Sequence, residues 1–115
     1  MIWWRVAAVA GALGVALGAF GAHGLKDVAE PDQIARWWNV GAKYHLIHAV
    51  ALLGVAAHPA KPAFAGGAFV TGIVLFSGSL YLMTRTGQTK LGRITPLGGL
   101  AFIAGWIALG LAGRG

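Results

Sequence analysis

Apolar residues run almost without interruption through four stretches of this chain, each about as long as a helix must be to cross a bilayer. The first, about residues 3–22, is an Ala/Val/Leu/Gly run with one charge, Arg5, near its start. The second, about 40–57, follows Pro31-Asp32-Gln33-Ile34-Ala35-Arg36-Trp37-Trp38, where Pro31 suits a first helical position and Asp32 favours a helix N-terminus. A helix begun at Pro31 reaches roughly 40 Å at 1.5 Å per residue, so its first turns project beyond the hydrocarbon core. Trp37 and Trp38 then fit an aromatic belt, with Arg36 and Lys43 extending toward headgroups. The third stretch, about 63–84, comes after a His58-Pro59-Ala60-Lys61-Pro62 turn in which Pro62 can open the next helix. The fourth, about 96–112, opens on Thr95-Pro96, read as an N-cap and an N1 proline.

Connections this short return the chain alongside itself, which predicts one all-α domain over residues 1–115, an integral membrane up-down-up-down four-helix bundle. The small residues near Ala19 to Ala22 mimic a signal-peptide cleavage site, but the weakly basic start and the further spans argue against one. Hydrophobic residues make up 57% of the chain and charged residues 10%, leaving no room for a soluble catalytic domain. The absence of cysteine removes disulfides and thiolate metal sites. A net charge of +6 could suggest nucleic acid, yet the cations stand singly at segment ends, where lipid headgroups and topology explain them, so no nucleic-acid partner is implied. Lys26, Arg36, Lys43, Arg85, Lys90 and Arg93 fall at one end of such a bundle and only Arg5, Lys61 and Arg114 at the other. The positive-inside rule then puts both termini outside.

Glycine makes close helix contacts feasible. Gly14 and Gly18 form a G-x-x-x-G extended by Ala10 and Ala22, and Gly67 with Thr71, or Ala101 with Gly105, gives small-x-x-x-small pairs.

The polar residues of the spans collect toward the basic connections: His23 at the end of the first, His45 and His48 early in the second, Ser77, Ser79 and Tyr81 late in the third, and Thr95 at the start of the fourth. Gly41, His45, His48 and Leu52 share one stripe at about 100° per residue, so both imidazoles can face the interior. His23 and His48 are the candidate metal ligands, but no carboxylate or cysteine stands ready to complete a shell, and no cofactor is implied. Imidazoles and hydroxyls could instead relay protons or hold a small ligand, although no Asp or Glu lies within a span. The third use is structural: neutral histidines hydrogen-bonded to Ser77, Ser79, Tyr81 or backbone carbonyls fix the packing. Ser77 or Ser79 with His48 lacks an orienting carboxylate and a nucleophile elbow, which speaks against an enzyme. His58 reads as a turn residue.

Gly18-Ala19-Phe20-Gly21-Ala22-His23-Gly24-Leu25, Tyr44-His45-Leu46-Ile47-His48-Ala49, Leu75-Phe76-Ser77-Gly78-Ser79-Leu80-Tyr81 and Thr95-Pro96-Leu97-Gly98-Gly99 with Gly105-Trp106 occur in that order over nearly the whole chain. In these motifs the sequence resembles the small uncharacterised membrane-protein family typified by bacterial YgdD and YwdK. The resemblance implies a four-span protein of the bacterial inner membrane, with relatives in eukaryotes and no established activity. It also implies histidine at the positions of His23 and His48, and a position at His45 that tolerates glutamine, which favours hydrogen bonding there over metal ligation. The expectation is a non-catalytic structural or accessory component in the lipid bilayer, acting as a homo-oligomer or within a larger membrane complex. The alternative is a proton, metal or small-ligand site at His23 and His48.

Overall fold

In a computed structural model, which describes residues 2–113, four helices account for nearly all of the chain: α1 (Ile2–His23), α2 (Pro31–Ala57), α3 (Ala63–Thr86) and α4 (Thr89–Ala112). Each is long and apolar enough to cross a bilayer, and no strand occurs among the described residues. Backbone hydrogen bonds are therefore satisfied within segments, as hydrocarbon demands.

The punctuation is chemical. Pro31 occupies the first turn of α2, where a missing N–H costs nothing, and the Gln33 side chain accepts from the Glu30 N–H at 3.4 Å. α2 ends before Pro59, and Pro62 supplies the carbonyl that accepts from Gly66 at the start of α3. Gly87, at φ 72°, closes α3 in the left-handed conformation that glycine adopts without strain. Thr95 does not cap α4: the helix is entered through a 3₁₀ turn at Thr89–Arg93, and the Thr95 hydroxyl is turned to a neighbouring helix instead.

The four antiparallel helices form a flattened rhombus. α1 lies along α2 and α4 along α3, while α2 and α3 share the middle. Half of the membrane-length window of α2 is buried, against 17% for α1 and for α4. At the end that carries the termini, Ala7, Ala51, Leu52, Val55, Ala65 and Phe69 make an apolar core, flanked by Trp3, Val6 and Leu109.

Buried positions in α1 are Ala7, Gly14 and Gly21, one per heptad. They face two heptad rows of α2, Ala42/Ala49/Ala56 and Trp38/His45/Leu52. A methyl group at Gly14 would lie 2.7 Å from Leu46 Cδ2, and one at Gly21 would overlap the Trp38 ring. Gly18 is in ordinary contact only, its nearest neighbour being Ala42 Cβ at 3.9 Å, so the heptad pair Gly14/Gly21 sets the approach more than the G-x-x-x-G does. The same device recurs elsewhere: Gly66 receives Trp3, Gly72 receives Phe102, and Gly105 receives Phe69. Gly67 meets nothing and Thr71 is exposed, its hydroxyl donating to the Gly67 carbonyl of its own helix, so that pair seats no helix.

Two helices contain a single π-helical turn, Ile34–Trp38 in α2 and Ile73–Ser77 in α3. An extra residue in the turn shifts the face that follows it. At the end of the π-turn of α3, Ser77 is turned to α2 and Ser79, two residues on and so on the opposite side of the helix, to α4.

Candidate functional site

His45 lies at the meeting of three helices. Its Nε2 is 2.9 Å from the Ala10 carbonyl of α1, which can only accept, so Nε2 carries the hydrogen, and in the neutral ring Nδ1 accepts from the Tyr81 hydroxyl of α3 at 2.8 Å. Both ring nitrogens are engaged. One heptad earlier, the Trp38 indole N–H donates to the Leu17 carbonyl of α1 at 2.6 Å. The two donors of α2 and the two acceptors of α1 are each seven residues apart, so antiparallel helices bring both pairs into register. Trp38 is thus a buried strut, 3% exposed, rather than part of an aromatic belt, whereas Trp37 stays half-buried beside it. The glycine at position 21 makes room for the indole.

His48 takes the opposite tautomer. The Trp106 indole can only donate, and it does so to His48 Nε2 at 3.0 Å, leaving Nδ1–H to donate to the Tyr44 carbonyl at 2.7 Å. The imidazole stacks on Phe102 with centroids 3.6 Å apart and planes 9° off parallel, and the rings of Phe69 and Trp106 stand at 5.6 and 5.8 Å. A neutral imidazole boxed by aromatic rings is well suited to a low-dielectric interior.

Ser77, fully buried, donates to the Gly41 carbonyl at 2.7 Å. Ser79 is 2.5 Å from the Thr95 hydroxyl and also bonds the Phe76 carbonyl at 2.9 Å. Four helix pairs therefore have at least one polar link, α1–α2 through Trp38 and His45, α2–α3 through Tyr81 and Ser77, α2–α4 through His48, and α3–α4 through Ser79, while α1 meets α3 through apolar contacts such as Trp3 on Gly66. Among the described residues no buried side-chain nitrogen or oxygen lacks a partner.

These groups do not form one cluster. His45 is turned to α1 and Tyr81, His48 to α4, and His23 is exposed at the end of α1, joined to neither. His48 also lies deeper than the basic-connection half, since its neighbours Phe69 and Trp106 belong to the halves of α3 and α4 nearer the termini. No group of three metal-ligating side chains occurs among the described residues. At the opposite end, His58 donates from Nε2 to the Gly113 carbonyl at 2.5 Å and accepts the Ala60 N–H at Nδ1, so this turn residue also fastens the end of α4. Trp38 and Trp106 carry two of the interhelical bonds, and the one sequence signal for them is an indole at helical spacing from a histidine: seven residues in the first case, none within the same helix in the second.

Four apolar helices tied by internal polar links define a polytopic integral membrane protein. The chain belongs to the family described as "Protein of unknown function (DUF423)", whose profile matches residues 17–99. It is similar to the UPF0382 membrane protein YwdK of Bacillus subtilis, 47% identical over 106 residues covering 87% of this chain and 85% of that protein. It is also similar to the UPF0382 membrane protein C1782.12c of Schizosaccharomyces pombe, 35% identical and covering 95% and 98% of the two chains. A UPF0382 membrane protein of Haemophilus influenzae is 38% identical over 89% of this chain and 85% of its own. No solved structure matches.

Proposed function

We propose that this protein is a non-catalytic structural or accessory component of the membrane, in which His45, His48, Ser77, Ser79, Tyr81 and Thr95 join helices. What supports the reading is saturation: every buried polar side-chain atom among the described residues already has a protein partner. A site built to bind a ligand or pass ions would hold polar groups in reserve, facing a cavity. The serine hydroxyls are engaged with a carbonyl or a threonine, and neither lies beside a carboxylate, which supports a role outside catalysis.

Metal analysis and an absorption spectrum of the detergent-purified protein test this against a metal, proton or small-ligand site at His23 and His48. Wild type is expected to carry no stoichiometric metal and no Soret band even after loading. His48→Ala should lower the melting temperature while His23→Ala leaves it within error. Stoichiometric metal lost in a His23→Ala, His48→Ala double variant would sink the structural reading.

The chain's place, on this proposal, is the plasma (inner) membrane of a bacterium with both termini outside. The asymmetry of Lys26, Arg36, Arg85, Lys90 and Arg93 against Arg5 and Lys61 supports the orientation; Arg114 lies outside the described residues. Since the chain has no cysteine, single cysteines at Ala60 and Thr89 report it directly. An impermeant maleimide should label Ala60→Cys in intact cells and Thr89→Cys only after lysis; the reverse pattern would invert the topology. As an accessory component the protein would meet another copy or a larger membrane complex through the outer faces of α1 and α4. A mass of one 11.8 kDa chain after gentle solubilisation would remove that part of the proposal.

A further inference from the structure

The connection between α3 and α4 differs from the connection between α1 and α2 in the sign of its charge. All three acidic residues, Asp27, Glu30 and Asp32, sit in or just after the first connection, where Asp32 pairs with Arg36 at 2.8 Å. Arg85, Lys90 and Arg93 share the other, are exposed, and make no ion pair among the described residues.

The fold packs these three cations around one corner. Gly87 reverses the chain at φ 72°, the 3₁₀ turn Thr89–Arg93 folds back on the end of α3, and Gly92 comes to rest near Met83. Directly below this corner a mainly apolar groove of about 480 Å³ opens to the bilayer, lined by Val74, Leu75, Gly78, Leu82, Leu91 and Ile94 together with Ser79 and Tyr81. The cations stand on the two elements that line it, α3 and the 3₁₀ turn. Arg85 is one turn beyond Leu82 on α3, while Lys90 and Arg93 each directly precede a lining residue, Leu91 and Ile94. The groove runs along α3 from Leu82 to Val74, about 12 Å at 1.5 Å per residue, down into the leaflet on the side of the basic connections.

We infer that this corner is a binding site for an anionic phospholipid of that leaflet, with one acyl chain in the groove and the phosphate headgroup against Arg85, Lys90 and Arg93. The chemistry is complementary at both ends: a mainly apolar wall for the chain, and three cations without an ion pair among the described residues, two of them on a backbone turn held in place, for the headgroup. Arginine can bind a phosphate through two parallel N–H groups, and the long stems of all three residues can lie on the apolar wall while the charge stays at headgroup level. A zwitterionic lipid would meet the same wall with its charge already balanced.

Native mass spectrometry of the full chain in detergent tests this, using phosphatidylglycerol and phosphatidylcholine with identical acyl chains as probes. One equivalent of phosphatidylglycerol should be retained, at least tenfold more tightly than phosphatidylcholine. Near a membrane surface each basic residue contributes roughly a fivefold factor, so an Arg85→Gln, Lys90→Gln, Arg93→Gln variant should lose about a hundredfold in affinity. A Lys26→Gln, Arg36→Gln variant should lose little. Gly78→Leu supplies the second arm: the space beyond Gly78 is open, with only the Ile73 carbonyl at 4.0 Å, so leucine fills the groove without displacing a helix. It should evict the lipid while the cations remain. Equal retention of the two lipids, or phosphatidylglycerol binding unchanged in the triple variant, would overturn the site. Loss in the triple variant with full binding in Gly78→Leu would equally overturn it, by reducing it to headgroup adsorption.

Discussion

Alanine at Gly98 should strongly destabilise this protein, although it adds a single carbon. That carbon would land on the backbone nitrogen and Cα of Phe76, in the π-helical turn of α3. Most tight glycines here face the end of a side chain, which can give way. Gly98 faces main chain, so only a separation of α3 from α4 relieves the overlap, and with it goes the Ser79–Thr95 bond close by. Overpacking of this kind costs about 3 kcal/mol or more. Gly110 has nothing within 4 Å and serves as the control: alanine there should be neutral or slightly stabilising, through helix propensity. Thermal melts in one detergent compare the two, and equal midpoints would show that the α3–α4 contact is looser than described.

The second large effect is expected at His48. Truncation to alanine removes the ring stacked on Phe102, leaves a void beside Phe69, and orphans the Trp106 indole N–H. Cavity and unsatisfied donor together should cost about 3 kcal/mol. Trp106→Phe keeps most of the ring and forfeits one interhelical hydrogen bond, worth roughly 0.6 kcal/mol in a membrane protein, and Ser77→Ala should fall in the same range. A double-mutant cycle between His48→Ala and Trp106→Phe should return a coupling of at least that size. If His48→Ala instead melts with wild type, the histidine is not a packing element and the structural role proposed for it fails.

The presence of four antiparallel membrane helices was legible in the lengths of the apolar runs and the shortness of the links, because the bilayer leaves so few alternatives. The polar residues were harder to place. Residues 45 and 48 share a stripe, but i and i+3 differ by about 60° in azimuth on a helix. On a helix at the edge of a bundle that difference is minor. On α2, which has neighbours on both sides, it sends His45 to α1 and α3 and His48 to α4. Periodicity gives the direction of a side chain and not the identity of the helix it meets. Trp38 shows the same gap: beside Trp37 at a helix entrance it fits an interfacial belt, and only the indole-sized notch at Gly21 explains its burial. Ser77 and Ser79, two residues and so about 200° apart on a helix, are aimed apart by spacing alone, yet spacing does not say that one meets α2 and the other α4.

The α1–α2 seam has an evolutionary consequence. Trp38 and His45 both donate to main-chain carbonyls, at Leu17 and Ala10. No substitution in α1 can delete those acceptors, since every residue type supplies a carbonyl. The first helix can thus drift across most of its length and keep its seat, provided positions 14 and 21 stay bare. Its docking address is written in missing side chains, whereas that of α2 is written in two ring nitrogens that nothing else in the sequence replaces.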